Sequence, residues 1–377
     1  MRRIIFWIHL LAGVTAGLIV VLMSFTGVLL AYEKQVLAWL DRGTAQISNP
    51  GNIPPLSMEN LLRNAKVQAG TPVTLRQAIA EPVELTLSAA EGSVYLDPRT
   101  GAQIGRSSWT AHKVFTQITS FHRRLGVDGP SRNTARLITG SANLAFLVMI
   151  LTGAMLWLPR KWSARHLRPI VWFRPGLEGK ARDFNWHNTI GLWSAVPLVV
   201  VVLGALPISF PWANNLAYRI MGNEPPAPPA APPAAPKPAR NGPPPAAVID
   251  GLNPRIERAK AQRADWRSIT FRVPSAEAGP LTFAIDWGTG GQPQKRGTLT
   301  LDAEGNLSKW EVFEDNNAGR RLRLWLRFLH TGEALGLAGQ AIAALASAGA
   351  VVLGWTGIAL ALRRWSAWRK PRAAEEV

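Results

Sequence analysis

Four long apolar stretches constrain this chain more than any other feature of its sequence. They lie at about 1–31, 137–158, 187–210 and 335–362. A helix of about 20 residues crosses a hydrocarbon core about 30 Å thick, and each stretch reaches that length. The sequence therefore predicts four transmembrane helices. The first stretch ends in LLAYEK without a small-residue cleavage pattern, so we expect a retained anchor and not a signal peptide.

The basic residues predict the orientation of these helices. The chain carries a formal net charge of +18, and many of its Lys and Arg residues flank the apolar stretches at the N-terminus, in 159–186 and in 363–377. With four crossings these three segments share one side, which the positive-inside rule makes cytoplasmic. Both termini are then cytoplasmic. This placement indicates contact with membrane lipid and does not indicate nucleic-acid binding.

The two segments that face outward are each predicted to form a small α+β module. In both, a helix-forming stretch precedes strands that end in an Asp-turn-Gly signal, at Asp97–Gly101 and at Asp302–Gly305. The predicted layout outside the spans is a first module at 32–110, an amphipathic helix and connector at 111–136, a basic cytoplasmic loop at 159–186, a Pro/Ala-rich linker at 211–247, a second module at 248–318, a basic connector at 319–334 and a cytoplasmic tail at 363–377.

The order of these features suggests an internal duplication. Each half has a histidine followed by glycine one turn later, a span, an outward module, a second histidine and a span that carries a Thr-Gly pair, Thr152-Gly153 or Thr356-Gly357. Each half contains two spans, so both halves enter the membrane in the same sense. The predicted fold class is a membrane α-helical protein with four transmembrane helices in a parallel internal repeat.

Four of the six histidines occupy matching places in these halves. His9 and His187 begin spans that run outward, so both are expected at the cytoplasmic end. His122 and His330 precede spans that run inward, so both are expected at the outer end. Spans of about 20 residues separate the two levels by about 20–30 Å. Only His9 with His187, and His122 with His330, can therefore lie close together.

Paired histidines of this kind favour a haem. A lone histidine at a membrane surface is usually solvated or hydrogen-bonded, but two neutral imidazoles from different helices are what a six-coordinate b-type haem needs. Glycines such as Gly13 and Gly17 leave room for a flat macrocycle, although small residues also line ordinary helix contacts. A bare metal is less favoured because acidic residues are scarce near the pairs, Glu333 being the nearest. We expect two haem b groups with iron ligands His9, His187, His122 and His330.

Arginines surround the predicted outer pair. Arg123 and Arg124 follow His122, while Arg323 and Arg327 precede His330. These side chains are candidates to bind haem propionates or an anionic substrate. Anchoring to lipid headgroups is the alternative interpretation.

The remaining two histidines fall outside this pattern. His166 lies in the basic cytoplasmic loop, where we expect a solvated or lipid-facing side chain. His112 lies on the predicted amphipathic helix upstream of His122, and its pattern does not distinguish a structural residue from a spare ligand or a substrate contact.

Several chemistries are excluded by composition and motifs. The chain has no cysteine, which removes disulfides, thiolate metal sites and c-type haem attachment. It also lacks a P-loop, a G-x-G-x-x-G fingerprint, a G-x-S-x-G elbow and an H-E-x-x-H motif. Apart from the haem ligands we identify no catalytic residue. Electrons would have to come from quinol or from a cytoplasmic flavoprotein.

The histidine motifs resemble those of the PepSY-associated transmembrane family of bacterial iron-regulated membrane proteins. The motifs are WIHLLAG, FHRRLG, DFNWHNTIGLW and FLHTGEALG, and the resemblance covers nearly the whole chain. The chain is similar in particular to inner-membrane ferrioxamine-type siderophore reductases. This resemblance implies two b haems held by His9, His187, His122 and His330, two PepSY-like periplasmic modules and a location in the bacterial inner membrane. The long Pro-Ala linker departs from the family pattern.

The predicted function is transfer of electrons across the membrane to a periplasmic Fe(III)-siderophore, with release of Fe(II). Reduction weakens the hard oxygen ligation of such chelates. Two alternatives stay open at this point. The first is a non-redox scaffold or regulator whose PepSY-like modules bind a periplasmic partner. The second is a metal transporter that uses the paired histidines as transient ligands.

Overall fold

The computed structural model describes residues 1–42, 47, 54–77, 81–88, 92–157, 163–227, 246–275 and 279–369. The helices in chain order are α1 Arg2–Leu30, α2 Glu33–Arg42, α3 Met58–Asn64, α4 Trp109–Arg124, α5 Arg132–Trp157, α6 Ala164–Val171, α7 Gly179–Ser209, α8 Pro211–Ile220, α9 Leu252–Ala261, α10 Ala318–His330 and α11 Gly336–Arg369. The strands are β1 Pro72–Arg76, β2 Val83–Ser88, β3 Gly92–Leu96, β4 Gln103–Arg106, β5 Ser268–Arg272, β6 Leu281–Asp286, β7 Arg296–Leu301 and β8 Leu307–Val312.

Four helices in the described part of the chain are long and apolar enough to cross a membrane, namely α1, α5, α7 and α11. The prediction of four spanning helices is confirmed. The chain divides into two compact units, which are a bundle unit of Met1–Tyr32, Gln117–Ala217 and Arg323–Val377, and a sheet unit of Glu33–Thr116 and Tyr218–Leu322. The four long helices all belong to the bundle unit.

Small side chains let the long helices approach one another closely. α1 and α7 each pack against both α5 and α11. Ala16 and Val20 of α1 meet Ala142 of α5, while Leu198 of α7 meets Ala346 and Ala350 of α11. Helix association in lipid depends on such close packing, since lipid tails are as apolar as the side chains themselves.

The long helices continue past their apolar stretches. α7 begins at Gly179, before the predicted start at 187, and α11 continues to Arg369, beyond the predicted end at 362. The buried carboxylate of Asp183 explains this extension. It forms ion pairs with Arg182 and with Arg363, each at 3.0 Å, so the polar ends of both helices are stabilised. The polar first turns of α7 are thereby attached to the end of α11.

The strands of the sheet unit form one antiparallel sheet in the order β4-β3-β2-β1-β5-β6-β7-β8. The two predicted modules therefore share a sheet, with β1 of the first segment paired to β5 of the second. One hydrophobic core lies against this sheet and includes Leu62 of α3 and Ile256 of α9. Each four-stranded half alone would expose β1 or β5 as an unpaired edge, and the pairing removes both edges.

The segment predicted as a linker at 211–247 begins with a helix. Pro211 occupies the first position of α8, where a missing N–H costs nothing. Ala213 and Ala217, one turn apart, are buried on one face of this helix. The prediction was wrong for 211–220 because the Pro/Ala-rich composition begins only after this stretch, in which a helical face is present. Residues 228–245 of the predicted linker lie outside the described residues, as do 370–377 of the predicted tail.

A disulfide tests whether the two segments share one sheet. The Oγ1 atoms of Thr74 and Thr270 lie 2.9 Å apart across β1 and β5, and directly opposed residues of this kind suit a disulfide. The natural chain has no cysteine that could form a competing disulfide with either introduced cysteine. We expect Thr74→Cys with Thr270→Cys to cross-link almost completely under mild oxidation, as measured by mass spectrometry of the digested protein. Thr74→Cys with Thr298→Cys, two strands further away, is the matched control and should stay reduced. Absence of the first cross-link would mean that the modules are separate.

Candidate functional site

The structure brings the four predicted histidines together in the two expected pairs. The ring centres of His9 and His187 lie 6.3 Å apart with the ring planes at 89°. Those of His122 and His330 lie 6.2 Å apart at 44°. All four residues belong to the bundle unit, and each residue is largely but not fully shielded from solvent. Each pair takes one histidine from each predicted half of the chain.

Threonine hydroxyls fix both rings of the His9–His187 pair. Nδ1 of His9 lies 3.0 Å from Oγ1 of Thr152, and Nδ1 of His187 lies 2.9 Å from Oγ1 of Thr356. Each hydroxyl donates its own proton to the carbonyl oxygen four residues earlier in its helix, at 2.6 Å and 2.8 Å respectively. The hydroxyl oxygen is therefore the acceptor, and each Nδ1 carries the proton.

Backbone carbonyls fix the rings of the His122–His330 pair. Nδ1 of His122 donates to the carbonyl oxygen of Met23 at 3.0 Å, with Oγ1 of Thr26 also at 3.0 Å. Nδ1 of His330 donates to the carbonyl oxygen of Val201 at 2.8 Å. Because a carbonyl can only accept, these two rings must also carry their proton on Nδ1.

All four histidines are thus held in the same tautomer, with Nε2 as the nitrogen that keeps a lone pair. Within the described residues no hydrogen-bond partner is found for any of these four Nε2 atoms. A ring whose Nδ1–H is held by a neighbouring acceptor while Nε2 stays open is the usual arrangement of a metal-binding histidine. Burial lowers the pKa of His122 and of His330, which keeps both rings neutral and available for ligation.

The ring separations can be compared with those expected for two kinds of metal site. Ligands on opposite sides of one metal place ring centres about 6.4 Å apart, from about 2.0 Å per metal–nitrogen bond and about 1.2 Å from nitrogen to ring centre. Two ligands of a tetrahedral metal would lie at about 5.2 Å by the same lengths. Both observed separations fit the opposed arrangement. Among the described residues no group of three or more His, Cys, Asp or Glu side chains could hold a metal.

Glycines keep the space beside the rings free. A methyl group at Gly153 would lie 3.2 Å from Cε1 of His9, and one at Gly357 would lie 3.4 Å from Cε1 of His187. Gly204 is tighter still, because a methyl group there would lie 2.8 Å from Cβ of His330 and would collide with the carbonyl oxygen of Leu326. The Thr-Gly pairs found in the sequence therefore combine a hydrogen-bond acceptor with room for the imidazole that it binds.

Two of the candidate arginines near His122 and His330 in the chain have polar partners in the structure. Arg124 forms an ion pair with Asp128 at 2.7 Å, and Nε of Arg323 donates to Oδ1 of Asn214 at 2.6 Å. The pKa of Arg123 is lowered by partial burial and by the charges of other arginines that surround it. In order of effect these are Arg136, Arg124, Arg327 and Arg132.

Two buried polar atoms on α4 have unused hydrogen-bonding capacity. Oγ of Ser120 and Nε of Arg124 are buried and have no hydrogen-bond partner in the described part of the chain. Both residues lie on the helix that carries His122, two positions away from it on either side. Residues two positions apart on a helix point to different faces, so these two atoms do not lie on the face of α4 that carries the His122 ring.

Sequence reasoning missed several residues of this site. Arg132 and Arg136 were overlooked because they begin the polar end of α5. Met23 and Val201 contribute only backbone carbonyls, so their side chains carry no signal. The sequence contained one signal for these two residues. The number of residues from His9 to Met23 equals the number from His187 to Val201.

His112 does not join either histidine pair. In the sheet unit its Nε2 lies 3.4 Å from Oδ2 of Asp41, a buried carboxylate that also accepts from the Tyr95 hydroxyl at 3.0 Å and from the Ser108 amide at 3.0 Å. This network makes His112 a structural residue of the sheet unit. The side chain of His166 lies outside the described part of the structure.

Comparison with known proteins identifies a family relationship. A family model described as PepSY-associated TM region matches residues 6–364. The match includes all four paired histidines and both strand-forming segments. A comparison with curated proteins finds no match.

Two glycines of α7 provide a test of the packing at His330. Gly204→Ala should lower the stability of the bundle by about 1–3 kcal/mol, because the new methyl group collides with backbone and must displace α10. Gly191→Ala is the matched control on the same helix, since its methyl group would meet Leu353 at an ordinary 3.6 Å. Thermal unfolding in detergent measures both variants. Equal midpoints would contradict the close approach of α10 to Gly204.

Proposed function

From the premise that the chain belongs to the PepSY-associated transmembrane family, we propose that this multi-pass membrane protein binds two b-type haems and moves electrons across the membrane. The observation that carries the proposal is the geometry of the four histidines. Each has Nδ1 engaged and Nε2 open, and each pair has the ring separation of two ligands on opposite sides of one iron.

The residues fit a haem better than a bare metal ion. Two histidines are all that a haem would need from the protein, so His9 with His187 and His122 with His330 would each hold one without further ligands. When bound, the haem iron would supply one-electron chemistry. The protein residues hold the ring orientation through Thr152, Thr356, Met23 and Val201, and keep space free with glycine. Arg123, Arg124, Arg323 and Arg327 are proposed to bind propionates at the His122–His330 site.

The spacing of the two sites supports transfer across the membrane. Met23 accepts the hydrogen bond from His122 and lies on the same helix as His9, further toward its C-terminal end. At about 1.5 Å of rise per residue, the levels of His9 and Met23 are about 21 Å apart, a large part of a hydrocarbon core about 30 Å thick. One site therefore lies toward each membrane surface.

The charge distribution supports an orientation of the protein in the membrane. We assign the His9–His187 end to the cytoplasm of a bacterial inner-membrane protein, because basic segments flank the spans at that end. The donor there is quinol or a cytoplasmic flavoprotein. The acceptor at the periplasmic His122–His330 end is a Fe(III)-siderophore, and reduction to Fe(II) weakens its oxygen ligation and releases the iron. The sheet unit is then periplasmic.

Side-chain contacts support a parallel internal repeat. Gln340 of α11 donates to the carbonyl oxygen of Ala31 at the end of α1, at 2.8 Å, while Arg136 of α5 donates to that of Ile208 at the end of α7. The number of residues from Gln340 to Thr356 equals the number from Arg136 to Thr152, so Gln340 and Arg136 occupy corresponding positions. Corresponding residues thus perform the same capping task in the two halves.

Haem content tests the proposal directly. The purified protein should show a reduced b-type spectrum and about two haems per chain by pyridine haemochrome, one for each histidine pair. His330→Ala should lower this to about one and abolish reduction of ferric chelates, while His166→Ala should keep both. Unchanged haem content in His330→Ala would show that His330 does not bind a haem.

A colourless wild-type protein would favour a scaffold that binds a periplasmic partner, and metal flux without a chromophore would favour transport.

The threonine hydroxyls provide a finer test of the His9–His187 site. Thr356→Val keeps the side-chain shape but removes the acceptor of the His187 proton, which weakens haem affinity by about 10–100-fold if it acts like other partners of metal-binding histidines. It also makes the imidazole a weaker donor, so the midpoint potential of that haem should rise. Thr356→Ser retains the hydroxyl and should behave like wild type in redox titration. Equal potentials for the Val and Ser variants would remove Thr356 from this role.

A further inference from the structure

We infer that the acceptor reduced at the His122–His330 end is a ferric chelate with net negative charge, and that a cluster of arginines in the bundle unit recognises it. This inference rests on the proposed function and specifies its substrate class. The arginine cluster is defined by six residues contributed by α4, the start of α5, and α10, namely Arg123, Arg124, Arg132, Arg136, Arg323 and Arg327.

Most charges of the arginine cluster are not balanced by carboxylates. In the described residues only Arg124 of this cluster has an ion pair with a carboxylate, through Asp128. Arg136 and Arg323 donate to neutral oxygens of Ile208 and Asn214, which leaves their charges uncompensated. Arg123 is partly buried, and burial first and then the charges of neighbouring arginines lower its pKa.

A bound haem would neutralise only part of this charge. A haem carries a pair of propionates, and each satisfies one guanidinium as a bidentate partner. Glu333, close to His330 in the chain, contributes one more negative charge. After these groups and Asp128 are set against six guanidiniums, an excess of about two positive charges remains. A surplus of this size attracts an anion and repels a cationic chelate.

Reduction itself increases the benefit of the positive charge. When one electron from the proposed quinol or flavoprotein donor reaches the chelate, Fe(III) becomes Fe(II) and the complex gains one negative charge with no bond to the protein formed. Fixed positive groups stabilise the more negative product better than the reactant. The arginine cluster therefore favours both the binding and the reduction of an anionic complex.

The crowding of the cluster favours one bound anion over separate lipid headgroups. Headgroup anchors can be distributed around the whole circumference of a bundle, whereas Arg123 experiences the charges of arginines from α4, α5 and α10, namely Arg136, Arg124, Arg327 and Arg132. Like charges brought this close repel one another, so an anion that neutralises several of them at once is favoured at this position.

Matched chelates separate charge from every other property. A trihydroxamate core can carry a pendant carboxylate, no charged group, or a pendant ammonium, with the same iron coordination. The Ga(III) complexes are redox-inert and measure binding alone by titration calorimetry. We expect the carboxylate form to bind about tenfold more tightly than the neutral form at low ionic strength, and the ammonium form more weakly still. The difference should shrink as salt is added.

Arginine variants assign the effect to the cluster. Arg132→Gln and Arg136→Gln, the two members of the cluster that are not assigned to propionates, should each reduce the preference for the carboxylate chelate several-fold, with reoxidation of the prereduced protein by the Fe(III) series showing the same order. Arg369→Gln, at the opposite end of α11, is the matched control and should leave the preference unchanged. Since the variants only remove charge, haem spectra and unfolding midpoints verify that each protein is intact.

The outcomes distinguish this inference from the proposed function. Equal affinity for the three Ga(III) chelates, without salt dependence, would overturn the anionic substrate class while haem content and reduction could still stand. Arginine variants that alter only retention of phosphatidylglycerol in nanodiscs would make the cluster a headgroup anchor and would also overturn it. Absence of haem would overturn the proposed function, and the gallium titrations would still report the charge preference.

Discussion

The hydrogen bond from each histidine Nδ1 is the interaction on which the rest of the bundle depends. It decides which nitrogen keeps its lone pair, and it connects each ring to a neighbouring helix of the same half, as for His9 with Thr152 and His330 with Val201. The glycines beside the rings, the positions of the helices and the ring separations all serve this arrangement. An imidazole without such a partner could rotate and offer either nitrogen.

The spans and the histidine pairs were predictable because they follow from local rules. Apolar length locates a membrane helix, and the place of a histidine at one end of it fixes its level. The acceptors could not be predicted in the same way. Met23 and Val201 act through backbone carbonyls that every residue possesses, so only their equal offsets from His9 and His187 hinted at them. The role of the two threonines of the Thr-Gly pairs required knowledge of which helix packs beside which.

The single sheet was beyond local reasoning for a similar reason. Alternating residues identify strands such as Ser268–Arg272, but they do not name a partner about 200 residues away in the chain. The local pattern of β1 is also weak, since Pro72 and Arg76 leave only three residues of clear strand pattern between them. Its place at the centre of the sheet is set by pairing with β5, so tertiary contacts outweigh its weak local preference.

Each histidine pair draws one member from each half of the chain, and this has a consequence for biosynthesis. During translation, His9 and His122 emerge before His187, so a nascent chain that ends before His187 offers only single ligands at each level. A macrocycle would be held from one side there and exchanged readily. The His9–His187 pair is complete once His187 has been made, whereas the His122–His330 pair waits for His330, so firm retention of the proposed haems would begin at one level before the other.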